Sequence, residues 1–164
     1  MSDRVRRMLD EAEARIQDAE VLARSLHTAS DSQAIIKILA LEVLLKAAQL
    51  QCTGKFARSH RYIELWDALP SAVQQEVIRS GSIRYSGHAD LTNVPKLLCI
   101  YEFIFTKVRY HYELYEGYSI AEQQAQGEEW VQRGAPTEEA LVQYFPMELS
   151  ALLFGLVGVI KNAL

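Results

Sequence analysis

Apolar residues recur every three or four positions along most of this chain, a spacing typical of helices that bury one face. The first such segment predicts an amphipathic helix from about residue 4 to residue 26. The polar run 30–32 interrupts the pattern and can cap a second helix, over about 33–52, which Gly54 ends. Because this second helix is apolar almost all round, it is predicted to lie at the centre of a helical bundle.

Capping and turn residues divide the middle of the chain. Ser59 can cap a third helix that closes at Pro70, and Ser71 with Gln74 has the spacing of a capping box for a short fourth helix. The stretch 80–93, which is rich in Gly and Ser, is predicted to be a loop.

The C-terminal half continues the helical pattern. Pro95 fits the first turn of a long helix whose apolar residues continue to Gly117. The segment 117–136 is polar and rich in Glu and Gln, so it is predicted to be a surface excursion that holds a short helix after Ser119. Pro146 opens a last helix, which extends to about residue 163.

These segments predict an all-α fold, an antiparallel bundle of four main helices with one or two short ones. A length of 164 residues suits one domain, and no internal repeat divides the chain, so residues 1–164 are predicted to form a single domain. The last helix is apolar on nearly every face. We therefore expect one side of it to pack on the bundle and the other to meet a second chain in a homodimer.

Net charge, cysteine spacing and the length of apolar runs exclude several classes of function. A formal charge of −4 argues against a protein that coats nucleic acid over its whole surface, so a polyanion would need a local basic patch. Cys52 and Cys99 show no metal or redox spacing, and no motif indicates a metal or a cofactor. The N-terminus has no signal-peptide pattern, and the longest apolar run, 151–160, is too short for a membrane span. The chain is therefore predicted to be cytoplasmic and not bound to a membrane.

Two charged residues interrupt the central helix. Glu42 and Lys46 stand four residues apart, in the favourable order for an ion pair on one helix face. Two readings are open. The pair is either solvated on a narrow exposed stripe, or buried, with Glu42 also reaching the helix that carries Arg109.

The segment KFARSHRY, at 55–62, is the candidate ligand-binding site. Its basic residues alternate with aromatic ones, which suits phosphate contact together with base stacking. A helix N-terminus at this position would add backbone donors for an anion. The candidate ligand-binding residues are Lys55, Arg58, His60 and Arg61. The alternative is an ordinary connection between helices in which His60 caps or packs locally.

Arg109 and His111 are the candidate catalytic residues. Metal-independent RNA cleavage needs a group that moves the 2′-hydroxyl proton and a cation that stabilises the phosphorane, and His and Arg can fill these roles. On a continuous helix, however, the two residues lie about 200° apart and do not converge on one phosphate. In the alternative reading, Arg109 is the hub of an ion-pair network with Glu102 and Glu113, which share its helix face.

Three motifs occur in an order that resembles the HEPN family. They are L-E-x-L-L-K-A at 41–47, H-x4-L-x3-L-P at 60–70 and R-Y-x-Y-E at 109–113. The resemblance covers roughly residues 5–163. It implies an antiparallel helical bundle, commonly dimeric, of a kind found in prokaryotic defence and toxin–antitoxin systems and beside nucleotidyltransferases. The R-x4–6-H motif of HEPN nucleases, two copies of which meet across a dimer, is not matched.

With that motif missing, the resemblance implies a homodimeric module that binds RNA, a nucleotide or a partner protein such as a nucleotidyltransferase, without nuclease activity of the HEPN type. The alternative is an active metal-independent endoribonuclease, with Arg109 and His111 assembled across the dimer and His60 assisting. A third reading is a helical scaffold whose only ligand is another protein.

Overall fold

The computed structural model describes residues 2–26 and 30–162, apart from the side chain of His111. Within these residues the chain is all-helical and contains no β-strand, which confirms the predicted fold class. In the same residues, no helix combines the length and the apolar character that crossing a membrane requires. The α-helices are α1 (Asp3–Leu26), α2 (Asp31–Thr53), α3 (Tyr62–Asp67), α4 (Ser71–Arg84), α5 (Val94–Thr106), α6 (Ile120–Gln132) and α7 (Pro146–Asn162), and the 3-10 helices are Val108–Tyr115 and Thr137–Glu139.

The helix α2 is the centre of the packing, as its apolar circumference predicts. It packs against α1, α3, α5 and α7, and it buries residues around most of its circumference, including the charged Glu42. Arg4, in the first turn of α1, lies over the ring of Phe56, just beyond the end of α2. The helices α1 and α2 therefore run antiparallel.

Two glycines bring α4 and α7 into backbone contact. A Cβ atom on Gly155 would lie 2.4 Å from the carbonyl oxygen of Val77, and one on Gly81 would lie 2.7 Å from that of Ala151. These contacts run in opposite directions along the two helices, so α4 and α7 are antiparallel. The apolar circumference of α7 is thus largely covered by α2 and α4 of its own chain, and it no longer argues for a second chain.

Several helix ends follow the predicted capping residues. The Ser30 hydroxyl accepts from the backbone N–H of Gln33, and Gly54 ends α2 in the left-handed conformation with φ of 68°. Ser119 and Glu122 form a reciprocal capping box at the start of α6. These ends depend on residues that are close in sequence, which is why the pattern predicts them.

Two other predicted caps are wrong. Ser59 does not cap α3, because its hydroxyl donates to the side chain of Glu64. Ser71 and Gln74 form no capping box, because the amide of Gln74 donates to the backbone carbonyl of Trp66.

Two predicted boundaries also move. The loop expected from residue 80 begins later, because α4 continues to Arg84. The long helix expected to reach Gly117 ends at Thr106, and a 3-10 helix follows in which Tyr110 has the non-helical angles φ −109° and ψ 62°. Arg109 therefore lies next to a kink and not on the continuous face of a helix.

The segment predicted to be a surface excursion contains α6, a helix of 13 residues with no buried side chain within the described structure. The indole N–H of Trp130 donates to the carbonyl of Pro136 at 3.0 Å, so the chain after α6 folds back against it. The expected helix after Ser119 is confirmed, and it is longer than predicted.

Candidate functional site

Glu42 is the buried centre of the candidate site, with only 5% of its surface exposed. Its Oε1 accepts from Nζ of Lys46, one turn later on α2, and from Nδ1 of His60, in the connection to α3, each at 2.8 Å. The ion pair predicted from the sequence is present and is buried rather than solvated. The expected reach of Glu42 to the segment of Arg109 is wrong for the described contacts, because the carboxylate bonds to His60 instead.

The bond to Glu42 fixes the orientation of the His60 imidazole. An ionised carboxylate only accepts hydrogen bonds, so Nδ1 carries the proton and donates it to Glu42. The other nitrogen, Nε2, has no hydrogen-bond partner among the described residues, and 74% of the side chain is exposed. In its neutral form His60 therefore presents an oriented acceptor nitrogen at the surface. A general base and a base-recognising histidine both need this arrangement.

Glu102 holds Arg61 and Tyr62, the two residues that follow His60. Glu102, on α5, forms an ion pair with Arg61, whose Nε lies 2.8 Å from one carboxylate oxygen, and accepts from the backbone N–H of Tyr62 at 2.9 Å through the other oxygen. The Arg61 side chain is 68% exposed, and its two terminal amino groups make no hydrogen bond in the described part of the chain. A guanidinium presented in this way can bind phosphate oxygens.

Tyr62 anchors the segment in the core. Its side chain is fully buried, and its hydroxyl donates to the backbone carbonyl of Ile38 at 3.3 Å. Burial, followed by the charges of Glu42 and Glu102, raises the pKa of Tyr62 well above its usual range, so the phenol stays protonated. The segment 60–62 is thus attached to α2 and α5, while its first two side chains remain exposed.

The exposed cations around this segment come from two elements. Lys55 and Arg58 are exposed, and their side chains have no acidic partner among the described residues. Arg4 of α1 lies 3.5 Å over the centre of the Phe56 ring, which places the first turn of α1 beside the connection. We call this surface the basic end and define it by Arg4, Lys55, Phe56, Arg58 and Arg61. Cations around an aromatic ring are typical of surfaces that bind single-stranded nucleic acid.

The sequence reading missed the contribution of Arg4. The pattern of the basic segment shows only residues that are neighbours in sequence, whereas Arg4 reaches the segment through the antiparallel packing of α1 on α2. The available signal is the cluster RVRR at 4–7, which concentrates charge at the start of an amphipathic helix.

Arg109 lies over aromatic rings. Its Cζ is 5.3 Å from the centre of the Phe105 ring and 4.9 Å from that of Tyr110, within cation–π distance. The side chain of the other catalytic candidate, His111, lies outside the described residues, so its pairing with Arg109 stays a prediction.

The ion-pair hub predicted at Arg109 is wrong in the described structure. Glu102 pairs with Arg61, and Glu113 accepts from the hydroxyl of Tyr112 at 3.3 Å, so neither carboxylate pairs with Arg109. The prediction assumed a continuous helix, and the kink at Tyr110 removes the shared helix face on which it depended.

Outside the basic end, the described surface holds a large groove and no cluster of metal-binding side chains. A groove of about 640 Å³ lies between α1 and α7, away from the basic end, and its lining includes Arg24, Lys37 of α2, Tyr85 just after α4, and Phe154. Within the residues that the structure describes, no three His, Cys, Asp or Glu side chains are grouped closely enough to hold a metal ion.

Comparison of the chain with protein-family models, with curated proteins and with solved structures gave no match.

Proposed function

We propose that this chain is a HEPN-like, homodimeric helical module that binds RNA at its basic end, in a defence, stress or toxin–antitoxin system, without nuclease activity of the HEPN type. The observation that carries the proposal is the anchoring of two neighbouring surface residues. His60 and Arg61 are largely exposed, yet each is held through its side chain by a glutamate of a core helix.

Stability is a weak explanation for these two contacts. The buried Glu42 already has Lys46 as its cation without His60. The pair of Glu102 with the exposed Arg61 contributes about 0–1 kcal/mol, because ordering the side chains costs entropy and solvent screens the charges. Binding gains more from the same contacts. A ligand that meets side chains already held in place does not bear the cost of ordering them.

The chemistry of the basic end favours RNA as the ligand. Lys55 and Arg58 can contact successive phosphates, Arg61 can hold a phosphate through two donors, and Phe56 offers a ring for base stacking. The alternatives, a mononucleotide or a protein partner such as a nucleotidyltransferase, use fewer of these groups or need a larger apolar surface.

The HEPN-like class is supported by the position of two motifs. Glu42 and Lys46 belong to the first motif and His60 to the second, and these three side chains meet at one carboxylate oxygen. Arg109, from the third motif, makes no described contact with this group.

The test is RNA binding measured by fluorescence anisotropy over a range of salt concentrations. We expect Arg58→Ala to weaken binding for all sequences and to lower the slope of log K against log salt by about one, the effect of losing one phosphate contact. His60→Ala and Arg61→Ala should weaken binding at fixed salt while the melting temperature stays nearly unchanged. Lys96→Ala, an exposed cation on α5, is the matched control and should leave the slope unchanged.

Wild-type protein that binds no RNA would refute the proposal. Loss of binding in Lys96→Ala to the same extent as in Arg58→Ala would show that only general charge matters. Tight binding of a mononucleotide with no gain from a longer RNA would assign the site to a nucleotide instead.

One observation favours a second candidate, a metal-independent endoribonuclease. Arg109 is exposed and has no carboxylate partner in the described structure, so its charge is available to a phosphate. His60, with Nδ1 held by Glu42, has the orientation that a general base needs. We expect RNA cleavage in EDTA only if this candidate is correct. Its loss in both Arg109→Ala and His111→Ala, with folding intact, would assign the reaction to these residues across a dimer.

A further inference from the structure

The negative charge of this chain is concentrated in one segment. Residues 113–139, which we call the acidic arm, hold seven glutamates and one arginine, a formal charge of −6 against −4 for the whole chain. The rest of the chain therefore carries a formal charge of +2. The overall acidity says little about the bundle itself, which is slightly basic.

The acidic arm also exposes apolar side chains. None of its residues is buried in the described structure, and the exposed apolar ones are Tyr118, Ile120 and Val131, with Leu141 just beyond. Ile120 and Val131 are eleven residues apart on α6, close to three turns, so they lie on one face of the helix. Between them, Gln124, Gly127 and Glu128 complete this face without a bulky side chain.

Exposed apolar side chains on an acidic segment are complementary to a surface of opposite charge that also holds an apolar group. The basic end is such a surface: Arg4 lies over the ring of Phe56, which is 40% exposed, and the exposed Lys55 and Arg58 flank Phe56 in sequence. Both surfaces belong to the same chain. A pair of copies can therefore bury two such contacts at once, related by a two-fold axis.

We propose that the acidic arm of one copy binds the basic end of a second copy, so that each copy gives its arm and receives the arm of the other. The inference rests on the homodimer included in the proposed function and supplies its interface, but it does not depend on RNA. Because carboxylates of the arm occupy the cations that RNA would contact, RNA binding at the basic end displaces the arm, and the homodimer of the proposed function is the RNA-free state.

A charge-swap experiment tests the interface. One variant reverses the arm, Glu128→Lys with Glu129→Lys, and leaves Glu122 intact because it caps α6. The other reverses the basic end, Lys55→Glu with Arg58→Glu, and leaves the contacts of Arg4 and Arg61 in place. Masses are measured by light scattering without RNA, at low and high ionic strength.

We expect wild-type protein to be dimeric at low ionic strength and to dissociate as salt screens the contact. Each double variant alone places like charges opposite each other, and its dimer dissociation constant should rise about tenfold or more. A mixture of the two variants restores both contacts and should form a 1:1 heterodimer. The control variant, Asp10→Lys with Asp18→Lys, reverses two exposed acids on α1 and should dimerise like the wild type.

Two results overturn the inference in different ways. Wild-type protein that is monomeric under all conditions removes both the interface and the homodimer of the proposed function, while leaving RNA binding to its own test. A wild-type dimer whose variants remain dimeric alone, or do not form a heterodimer when mixed, keeps the homodimer and rejects this interface.

Discussion

Among single residues, Glu42 has a large influence on the site, because it holds both Lys46 and His60 in place. One of its oxygens accepts from both Lys46 and His60, while the other oxygen is buried with no hydrogen-bond partner in the described part of the chain. A buried carboxylate in this state needs its cation, because desolvation of an unpaired charge costs several kcal/mol. The same residue thus supports the fold through Lys46 and orients the exposed imidazole through His60.

Replacing Glu42 by alanine is predicted to lower the free energy of unfolding by about 3–5 kcal/mol, because Lys46 is then buried without a partner. Denaturant unfolding measures this change. Glu11→Ala is the matched control, since Glu11 also pairs with a cation four residues later, Arg15, but at the surface. It should have little effect. A loss below about 0.5 kcal/mol for Glu42→Ala, the usual range for surface substitutions, would mean that the pair does not support the fold.

Whether a contact of the site could be predicted depends on how far apart its two residues are in the sequence. The pair of Glu42 and Lys46 follows from a spacing of four on one helix, and the sequence shows it directly. The bond from His60 to Glu42 joins residues 18 apart, and the ion pair of Arg61 with Glu102 joins the connection before α3 to α5. No rule of spacing covers contacts of this kind, because they depend on how α2, α3 and α5 pack.

For whole helices too, features that depend on neighbours in sequence could be predicted, and features that depend on packing between helices could not. Ser30 and Gly54 act on their own helix and were predicted correctly. Gly81 was assigned to a loop, because glycine and serine are common there, but it lies inside α4 at the contact with α7. Packing between helices outweighs the weak local preference of glycine, and the sequence of α4 alone does not contain that information.

The two glycines of α7 allow a matched test of this contact. Gly155→Ala is predicted to destabilise the protein by about 1–3 kcal/mol, the usual range for overpacking, because the new Cβ meets the backbone of Val77. Gly158→Ala places its Cβ in open space, and it should be neutral or stabilising by up to about 1 kcal/mol, since alanine favours the helix. Thermal unfolding of both variants measures the difference. Equal melting temperatures would show that α4 and α7 move apart without cost.

For the whole molecule, buried tyrosines make the free energy of unfolding depend on pH in the alkaline range. Burial raises the pKa of Tyr144 to about 12. It also raises the pKa of Tyr101 and Tyr62 well above their usual range. In the unfolded chain, tyrosines lose their protons near pH 10. The folded state therefore holds more protons above that pH, and its stability is complete below about pH 10 and decreases as pH rises.

We predict that the melting temperature decreases between about pH 10 and pH 12, and that Tyr144→Phe makes the decrease shallower. The Tyr144 hydroxyl has no hydrogen bond in the described structure, so its removal is a mild change at neutral pH. Melting curves of both proteins at each pH measure the effect. Parallel curves for wild type and variant would assign the alkaline loss to groups other than Tyr144.

The glycine contacts between α4 and α7 also determine where this molecule can bend. Helices that slide past one another do so by small side-chain rearrangements at their interface. At Gly81 and Gly155 the backbone of one helix lies directly against the backbone of the other, so side-chain rearrangement alone does not let them slide. The helices α4 and α7 therefore move as one rigid body. A conformational response at the basic end is therefore expected in residues 54–61, whose side-chain contacts with α1, α2 and α5 can break and re-form without any movement of α4 against α7.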